Sequence, residues 1–370
     1  MSYVQIIRYL FPILLIGFTF YKAKFYGSNS FNENAYSLNQ SKAIQGFAAL
    51  AIMFHHMAQH TCAPWLMGPR IEGLEPFLNI GYLMVGIFFF ASGFGLYKSA
   101  KSKADYFKHF FAKRFLPLIY FYAITNVLTL ILLKKLSPYT WFVYAIAVAY
   151  IGFFLAFRFI KNDHIAVICT ALVSLGYVYV VDFVIGYETY WFNSSLVFVS
   201  GIVFAMYEKK IMAFTKKCYW IILILLTAGV IFSFVQAIKM DEILSSSFES
   251  YNDPALKLKT ALVQTLAALI CVLWVIAINL KVEFRNGLLN KMGNITLGFY
   301  LIHPFFCDLF CWDTLFPKYK DYLYIKNIPL YTVAVFVASM VVTIICYKLF
   351  DLLKKFFGRK KCQNQMDAQQ

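Results

Sequence analysis

Two adjacent histidines, His55 and His56, lie near one end of the segment 42–60, which is otherwise mostly apolar. Lys42 and Gln45 lie at its opposite end. On an α-helix Gln45 and His56 share one face, separated by roughly 20° around the axis and roughly 16 Å along it. A neutral imidazole can take the proton of a hydroxyl group and make it a nucleophile, whereas a lysine suits an anion such as a phosphate. The segment therefore predicts one helix with different chemistry at its two ends.

The histidines also allow two plainer interpretations. Each could form a hydrogen bond with a neighbouring helix and have only a structural role. His56 and His60 are four residues apart and could share a metal ion. The sequence shows no third ligand beside them, so no metal is expected. None of the eight cysteines forms a CxxC pair, which argues against a metal knuckle.

A further histidine closes the motif Tyr300-Leu-Ile-His303, late in another apolar segment and directly before Pro304. Tyr300 and His303 are about one helical turn apart. His303 either faces the same cavity as His56 or packs near the membrane surface, and the sequence leaves both interpretations open.

Three carboxylates fall near the outer ends of apolar segments: Asp182, Asp308 and Asp313. We expect them to lie near the outer surface, because an ionised side chain costs little there and much at membrane depth. Cys307 and Cys311 share one helix face and could approach Cys62, so a disulfide is compatible with the spacing.

The composition places these residues in a membrane. Hydrophobic residues make up 61% of the 370 residues and charged residues only 14%, whereas soluble domains carry roughly 25% charged residues. Long apolar runs recur along the chain. They predict an all-α fold, a polytopic integral membrane helical bundle with about 10–11 transmembrane helices. The candidate segments are about 4–21, 43–58, 77–96, 115–133, 139–158, 164–182, 192–207, 218–238, 260–279, 293–311 and 328–348.

The net charge of +16 does not indicate nucleic-acid binding, because the basic residues sit in short clusters between apolar runs. Of the 34 lysines and arginines, 24 fall on one side of the bundle. Their segments are the loops 22–42, 97–114, 158–162, 208–217 and 280–292 and the tail from Lys348. The positive-inside rule makes this side cytoplasmic, with the N-terminus outside and the C-terminus inside. Lys134 and Lys135 oppose this orientation.

Three motifs occur in a definite order. The first is Gln45–His56, which reads Gln-Gly-Phe-Ala-Ala-Leu-Ala-Ile-Met-Phe-His-His. The second is the apolar Gly86–Leu96, which contains Ala-Ser-Gly, followed by the basic Lys113–Pro117. The third is Gly293–Pro304, which ends in Tyr-Leu-Ile-His-Pro. In this order and in a membrane setting, the motifs resemble those of the acyltransferase 3 family, integral membrane enzymes that move acyl groups.

The resemblance implies about ten core helices and an acyl-CoA donor, commonly acetyl-CoA, bound from the cytoplasm. It implies an acceptor hydroxyl on a cell-surface glycan or a lipid-linked saccharide. By register the family's catalytic histidine is His56, with His55 as the less favoured substitute. Tyr300 and His303 match the late motif and are expected to bind substrate.

The donor side shows one departure from the family. The family has an arginine where this chain has Gln45, which can donate hydrogen bonds but carries no charge. Lys42, one turn earlier, is the candidate to supply the charge. Lys113 and Arg114 match the family's basic segment and are expected to contact the phosphates of the donor.

The chain is thus interpreted as three parts. Residues 1–40 form an extra N-terminal transmembrane helix and a polar linker, 41–350 the acyltransferase-like membrane domain, and 351–370 a basic cytoplasmic tail. The expected function is that of a cell-membrane O-acyltransferase. The alternative is a transporter or flippase of glycan or lipid intermediates, although the sequence lacks the paired interrupted helices typical of many transporters. The departure at Gln45 also allows an inactive relative.

Overall fold

The computed structural model describes residues 3–66, 68, 70–133, 136–137, 140–312 and 320–367. Most of these residues are helical, which confirms the all-α prediction. In the described ranges one short antiparallel pair joins β1 (Lys24–Phe25) to β2 (Val282–Glu283). The helices are α1 (Tyr3–Phe20), α2 (Leu38–Thr61), α3 (Gly81–Ser102), α4 (Phe110–Leu133), α5 (Trp141–Phe159), α6 (Asp163–Tyr179), α7 (Val197–Lys217), α8 (Tyr219–Leu244), α9 (Phe248–Asn252), α10 (Pro254–Asn279), α11 (Gly287–Asn294), α12 (Thr296–Leu309), α13 (Lys320–Leu323) and α14 (Ile328–Asp367).

Eight helical segments of the described chain are long and apolar enough to cross a membrane: Tyr3–Phe20, Gly81–Ser102, Phe107–Ile131, Trp141–Phe159, Asp163–Ile185, Tyr219–Leu244, Pro254–Asn279 and Ile328–Phe356. Each of the eleven expected segments corresponds to a helix. The remaining three, α2, α7 and α12, are less apolar or shorter. Helices α2 and α12 are enclosed by other helices, so their polar side chains are shielded from lipid. The chain is therefore a multi-pass membrane protein. Lys134 and Lys135 lie outside the described residues.

Helix α2 is the central element of the bundle. It begins where the side chain of Ser37 accepts a hydrogen bond from the backbone N–H of Gln40, a typical N-cap. The middle of α2 is rich in alanine, and the side chains of Ala48, Ala49 and Ala51 are all buried. Small side chains let neighbouring helices approach closely, so α2 contacts α3, α11 and α12.

The closest of these contacts joins α2 to α11. A Cβ atom on Gly46 would overlap the backbone carbonyl of Leu289, and a Cβ on Gly293 would overlap the carbonyl of Lys42. Only glycine at both positions permits this approach of the two backbones. The contact fixes α11, and through it the start of α12, against the first turns of α2.

Helix α1 lies at the edge of the bundle. Arg8 on α1 donates hydrogen bonds to Glu75 at 3.2 Å and to Glu72 at 3.4 Å, both in the connection between α2 and α3. Ile7 packs beneath Gly73, whose φ of +132° also requires glycine. These contacts attach α1 to the loop before α3.

Two of the three carboxylates expected near the outer side are buried, so they lack the low cost that contact with water gives an ionised side chain. Asp182 is 1% exposed and Asp308 is 0% exposed. Asp182 lies in a π-helical segment, Val180–Ile185, which follows α6 and contacts α10. Asp308 lies on α12, which α2, α4 and α14 enclose. Asp313 lies outside the described residues.

The cysteines give no support for the disulfide. Cys62 and Cys307 both carry free thiols.

Candidate functional site

His56 and His303 form a hydrogen-bonded pair in the interior of the bundle. The Nδ1 atom of His56 lies 2.9 Å from Nε2 of His303, and the ring centroids are 5.0 Å apart. His56 comes from α2 and His303 from α12. His303 is completely buried, whereas His56 is half-buried. The structure therefore brings together the two histidines that the sequence singled out from distant segments.

The partners of His303 determine where the protons of this pair lie. Nδ1 of His303 is 2.7 Å from the carbonyl oxygen of Phe299, which can only accept, so Nδ1 carries the proton. In the neutral ring Nε2 is then an acceptor, and His56 must donate to it from Nδ1. The assignment follows from the hydrogen-bond network. It leaves the basic lone pair of His56 on Nε2.

Aromatic rings surround the pair. The ring of Tyr300 lies 6.5 Å from that of His56 and 6.2 Å from that of His303, measured between centroids. The rings of Phe142 and Phe88 pack against Tyr300 at 5.0 Å and 6.1 Å. This packing fixes the position of Tyr300 beside the histidines.

His55 faces a different neighbour. Its Nδ1 atom lies 3.0 Å from the carbonyl oxygen of Phe77 and donates to it. Its ring occupies the space that a side chain at position 81 would fill, which explains Gly81 there. His55 therefore joins α2 to the start of α3, as the structural interpretation of a membrane histidine predicts.

A cavity of about 1240 Å³ opens at the end of the bundle where α2 begins, which we call the basic end. Its described lining contains seven basic and three acidic side chains, an excess of four positive charges. The basic residues are Lys42, Lys98, Lys113, Arg114, Lys209, Lys216 and Lys354. The ion pairs are Lys98–Glu208 at 2.5 Å, Lys216–Glu33 at 2.6 Å and Lys354–Asp351 at 3.7 Å. The cavity suits a polyanionic ligand.

Lys42 and Gln45 both line this basic-end cavity. The Nζ atom of Lys42 donates to the carbonyl oxygen of Gly293 at 2.9 Å, near the C-terminus of α11, where a cation is favourable. Gln45 donates from Nε2 to the hydroxyl of Ser41 at 2.9 Å. Lys42 thus brings a positive charge to the place where the sequence expected it, and the same charge holds α11.

Lys113 and Arg114 line the same cavity from the first turn of α4. Lys113 is exposed and Arg114 is half-buried. Among the described residues, Nε of Arg114 is buried without a hydrogen-bond partner, and the hydroxyl of Tyr106 lies beside the guanidinium. A buried guanidinium N–H that is not satisfied within the protein favours an anionic ligand.

A second cavity, of about 970 Å³, opens at the other end of α2, which we call the histidine end. His55, His56 and His60 line it. The other lining side chains are mainly aromatic, amide and carboxyl groups: Trp65, Tyr82, Trp141, Tyr190, Tyr251, Gln59, Asn79, Asn193, Gln264, Glu188, Asp241 and Asp308. Such a lining combines flat apolar faces with donors and acceptors.

Tyr300 lines both cavities. The two cavities therefore adjoin at its ring, next to the pair of His56 and His303. His303 lies behind His56. This position suits a residue that supports His56 rather than one that contacts the substrate, which is the role that the sequence suggested.

Sequence reasoning missed two polar residues of the histidine-end cavity. Asn193 donates from Nδ2 to Oε1 of Gln264 at 2.8 Å, and both side chains are buried. Each stands in or beside an apolar segment, which is the signal that could have identified them.

The geometry agrees with the comparison to known proteins. A family model described as an acyltransferase domain matches residues 38–348, from the first residue of α2 into α14. No curated protein and no solved structure matches the chain. All three sequence motifs and both members of the histidine pair lie within the matched range. The chain therefore belongs to the acyltransferase 3 family and is a membrane acyltransferase.

Proposed function

We propose that this protein moves an acyl group from acyl-CoA to a hydroxyl group of a cell-surface glycan or a lipid-linked saccharide, with acetyl as the first acyl group to test. One observation carries the proposal. The hydrogen-bonded pair of His56 and His303 lies where a basic cavity and an aromatic, amide-rich cavity adjoin. An acyl transfer between two substrates of different chemistry needs a base at such a junction.

The basic-end cavity fits the donor. Coenzyme A carries phosphate groups, and the excess of four positive charges in the described lining would attract them. Arg114 can bind a phosphate in a bidentate manner, and Lys113 and Lys42 add point charges. Deeper in the cavity Phe88, Phe142 and Tyr300 form an apolar end for a short acyl group. On the positive-inside prediction this end is cytoplasmic, where acyl-CoA is found.

The histidine-end cavity fits the acceptor. Saccharides present hydroxyl groups around apolar ring faces, so they suit aromatic side chains flanked by amides and carboxylates. Trp65 and Trp141 offer flat faces, and Gln264 and Asp241 offer hydrogen bonds. This end faces outward in the expected orientation, toward cell-surface material.

The chemistry follows from the tautomer of His56. Nε2 of His56 takes the proton of the acceptor hydroxyl, and the oxygen attacks the thioester carbonyl. As the C–S bond breaks, the proton on Nε2 returns to the leaving sulfur. The products are the acyl ester and free coenzyme A. His303 accepts from Nδ1–H of His56 throughout, so the reactive nitrogen stays oriented toward the substrates.

The test uses the full-length protein in lipid nanodiscs with radiolabelled acetyl-CoA and an extract of cell-surface glycans. We expect His56→Ala to lower the rate of label transfer by a factor of roughly 10²–10⁴, the usual contribution of a general base. His55→Ala is the matched control, since it removes the adjacent ring that donates to Phe77. Transfer that His56→Ala leaves intact would exclude His56 as the base. In sealed proteoliposomes, transport of the glycan without labelling would favour a flippase instead.

A further inference from the structure

Three side chains of metal-ligating type converge at the histidine end. They are His60 near the end of α2, Asp308 near the end of α12, and Cys311 just beyond α12. One donor atom of each lies within 4.8 Å of the donor atoms of the others. The Sγ atom of Cys311 is 3.8 Å from Nδ1 of His60. The group stands one helical turn beyond His56.

The donor set has a definite preference. A nitrogen, an oxygen and a sulfur ligand together suit a borderline-soft ion such as Zn²⁺, whereas Ca²⁺ and Mg²⁺ prefer oxygen alone. Zinc bonds of roughly 2.0–2.3 Å place tetrahedral ligand atoms roughly 3.3–3.8 Å from one another. The separation of 3.8 Å between Sγ of Cys311 and Nδ1 of His60 reaches the upper end of this range, and the other donor atoms lie within 4.8 Å, so side-chain rotations would complete the coordination.

The surroundings hold the ligands in place. Asp308 is 0% exposed and Cys311 is 2% exposed, so both come from the packed interior. The thiol of Cys311 donates to the carbonyl oxygen of Asp308 at 3.1 Å, which keeps the two residues together until the thiol loses its proton and ligates the metal.

The cavity supplies the remaining coordination position. His60 and Asp308 both line the histidine-end cavity. Zinc sites with three protein ligands keep a fourth position for water or a substrate atom. Because two of the ligand residues lie at the edge of the cavity, the fourth coordination position would face into the cavity.

We propose that His60, Asp308 and Cys311 bind one Zn²⁺ ion, with the fourth position open to the histidine-end cavity. The ion would join the end of α2 to the end of α12 and bind an oxygen of the molecule in the cavity. This inference stands on the ligand geometry and is independent of the proposed acyl transfer. It also shows why the sequence pointed away from a metal. His56, the expected partner of His60, is engaged by His303, and the other ligands come from a segment about 250 residues later.

Cobalt substitution tests the site directly. The full chain, purified in detergent without a polyhistidine tag, is stripped with chelator and titrated with Co²⁺. We expect about one ion per chain and a thiolate-to-cobalt charge-transfer band, because Cys311 would ligate as thiolate. If the wild-type protein lacks this band, the proposal is wrong, and no variant is needed to reach that conclusion.

Variants then assign the ligands. The band should vanish in Cys311→Ser and persist in Cys307→Ser, which removes a buried thiol four residues earlier, on α12. Zinc measured by mass spectrometry in the untreated protein should fall from about one ion per chain to background in His60→Gln. A band that survives Cys311→Ser contradicts the assignment. Added azide should shift the cobalt spectrum, and an unchanged spectrum would rule out the open position.

Discussion

The proposed role of His303 is tested by replacing it with phenylalanine. His303→Phe keeps a ring of similar size on α12 but removes the acceptor for Nδ1–H of His56, 2.9 Å away. The proton of His56 then either stays buried without a partner or moves to Nε2, the nitrogen that must be basic. An unsatisfied buried donor costs roughly 1–3 kcal/mol. The reactive tautomer is raised in free energy by about this amount, so kcat should fall roughly 5- to 150-fold.

The assay is steady-state release of coenzyme A, with acetyl-CoA varied at a fixed glycan concentration. His303→Gln serves as the matched variant, because its side-chain oxygen can accept the same hydrogen bond and should restore much of kcat. The KM for acetyl-CoA should stay unchanged in both variants, since His303 is completely buried behind His56. A wild-type kcat in His303→Phe would refute the role of the pair. A raised KM with an unchanged kcat would instead indicate the direct substrate contact expected from the sequence.

Two further predictions concern the donor cavity and the helix contact. Arg114→Gln should raise the KM for acetyl-CoA roughly 10- to 150-fold, because it removes a charge-assisted hydrogen bond worth roughly 1.5–3 kcal/mol. Lys103→Gln replaces an exposed lysine of the same basic segment and should leave the KM for acetyl-CoA unchanged. An equal rise in KM for both variants would mean that the overall positive charge attracts the donor and that Arg114 makes no specific contact. Gly46→Ala should destabilise the protein by roughly 1–3 kcal/mol, because the new Cβ overlaps the carbonyl of Leu289. Gly17 has open space around it, so Gly17→Ala should not lower the melting temperature in the same detergent. Equal melting temperatures for Gly46→Ala and Gly17→Ala would contradict the close contact.

Much of the fold could be predicted because lipid imposes a simple rule. A membrane segment must be helical to satisfy its own backbone, so apolar runs mark helices. The rule does not locate the ends of the helices. Helix α7 was expected at 192–207 but extends from Val197 to Lys217. The end was missed because the last turns of α7 carry charged residues. Those residues are good helix formers that an apolar pattern cannot detect.

The candidate residues stood out in the sequence, and a cavity shared by His56 and His303 was one of two interpretations left open, but their hydrogen bond could not be predicted. Polar groups in apolar segments are costly, so His56 and His303 stood out one by one. Their hydrogen bond spans 247 residues of sequence, and no local pattern specifies which distant helices touch. The burial of Asp308 could not be predicted for the same reason. Its position near a helix end suggested the surface, while the enclosing helices that bury it come from elsewhere in the chain.

The contact between α2 and α11 holds the start of α12, the helix that carries His303, against the helix that carries His56. Gly46 and Gly293 bring the two backbones together at the basic end. His56 lies ten residues after Gly46 on the continuous helix α2, about 15 Å along its axis. The chain from Gly293 to His303 instead passes from α11 to α12 at Ile295, so the position of His303 depends on how α11 holds the start of α12. A change that separates the backbones at Gly46 should therefore lower kcat as well as stability, although it lies far from the reacting atoms.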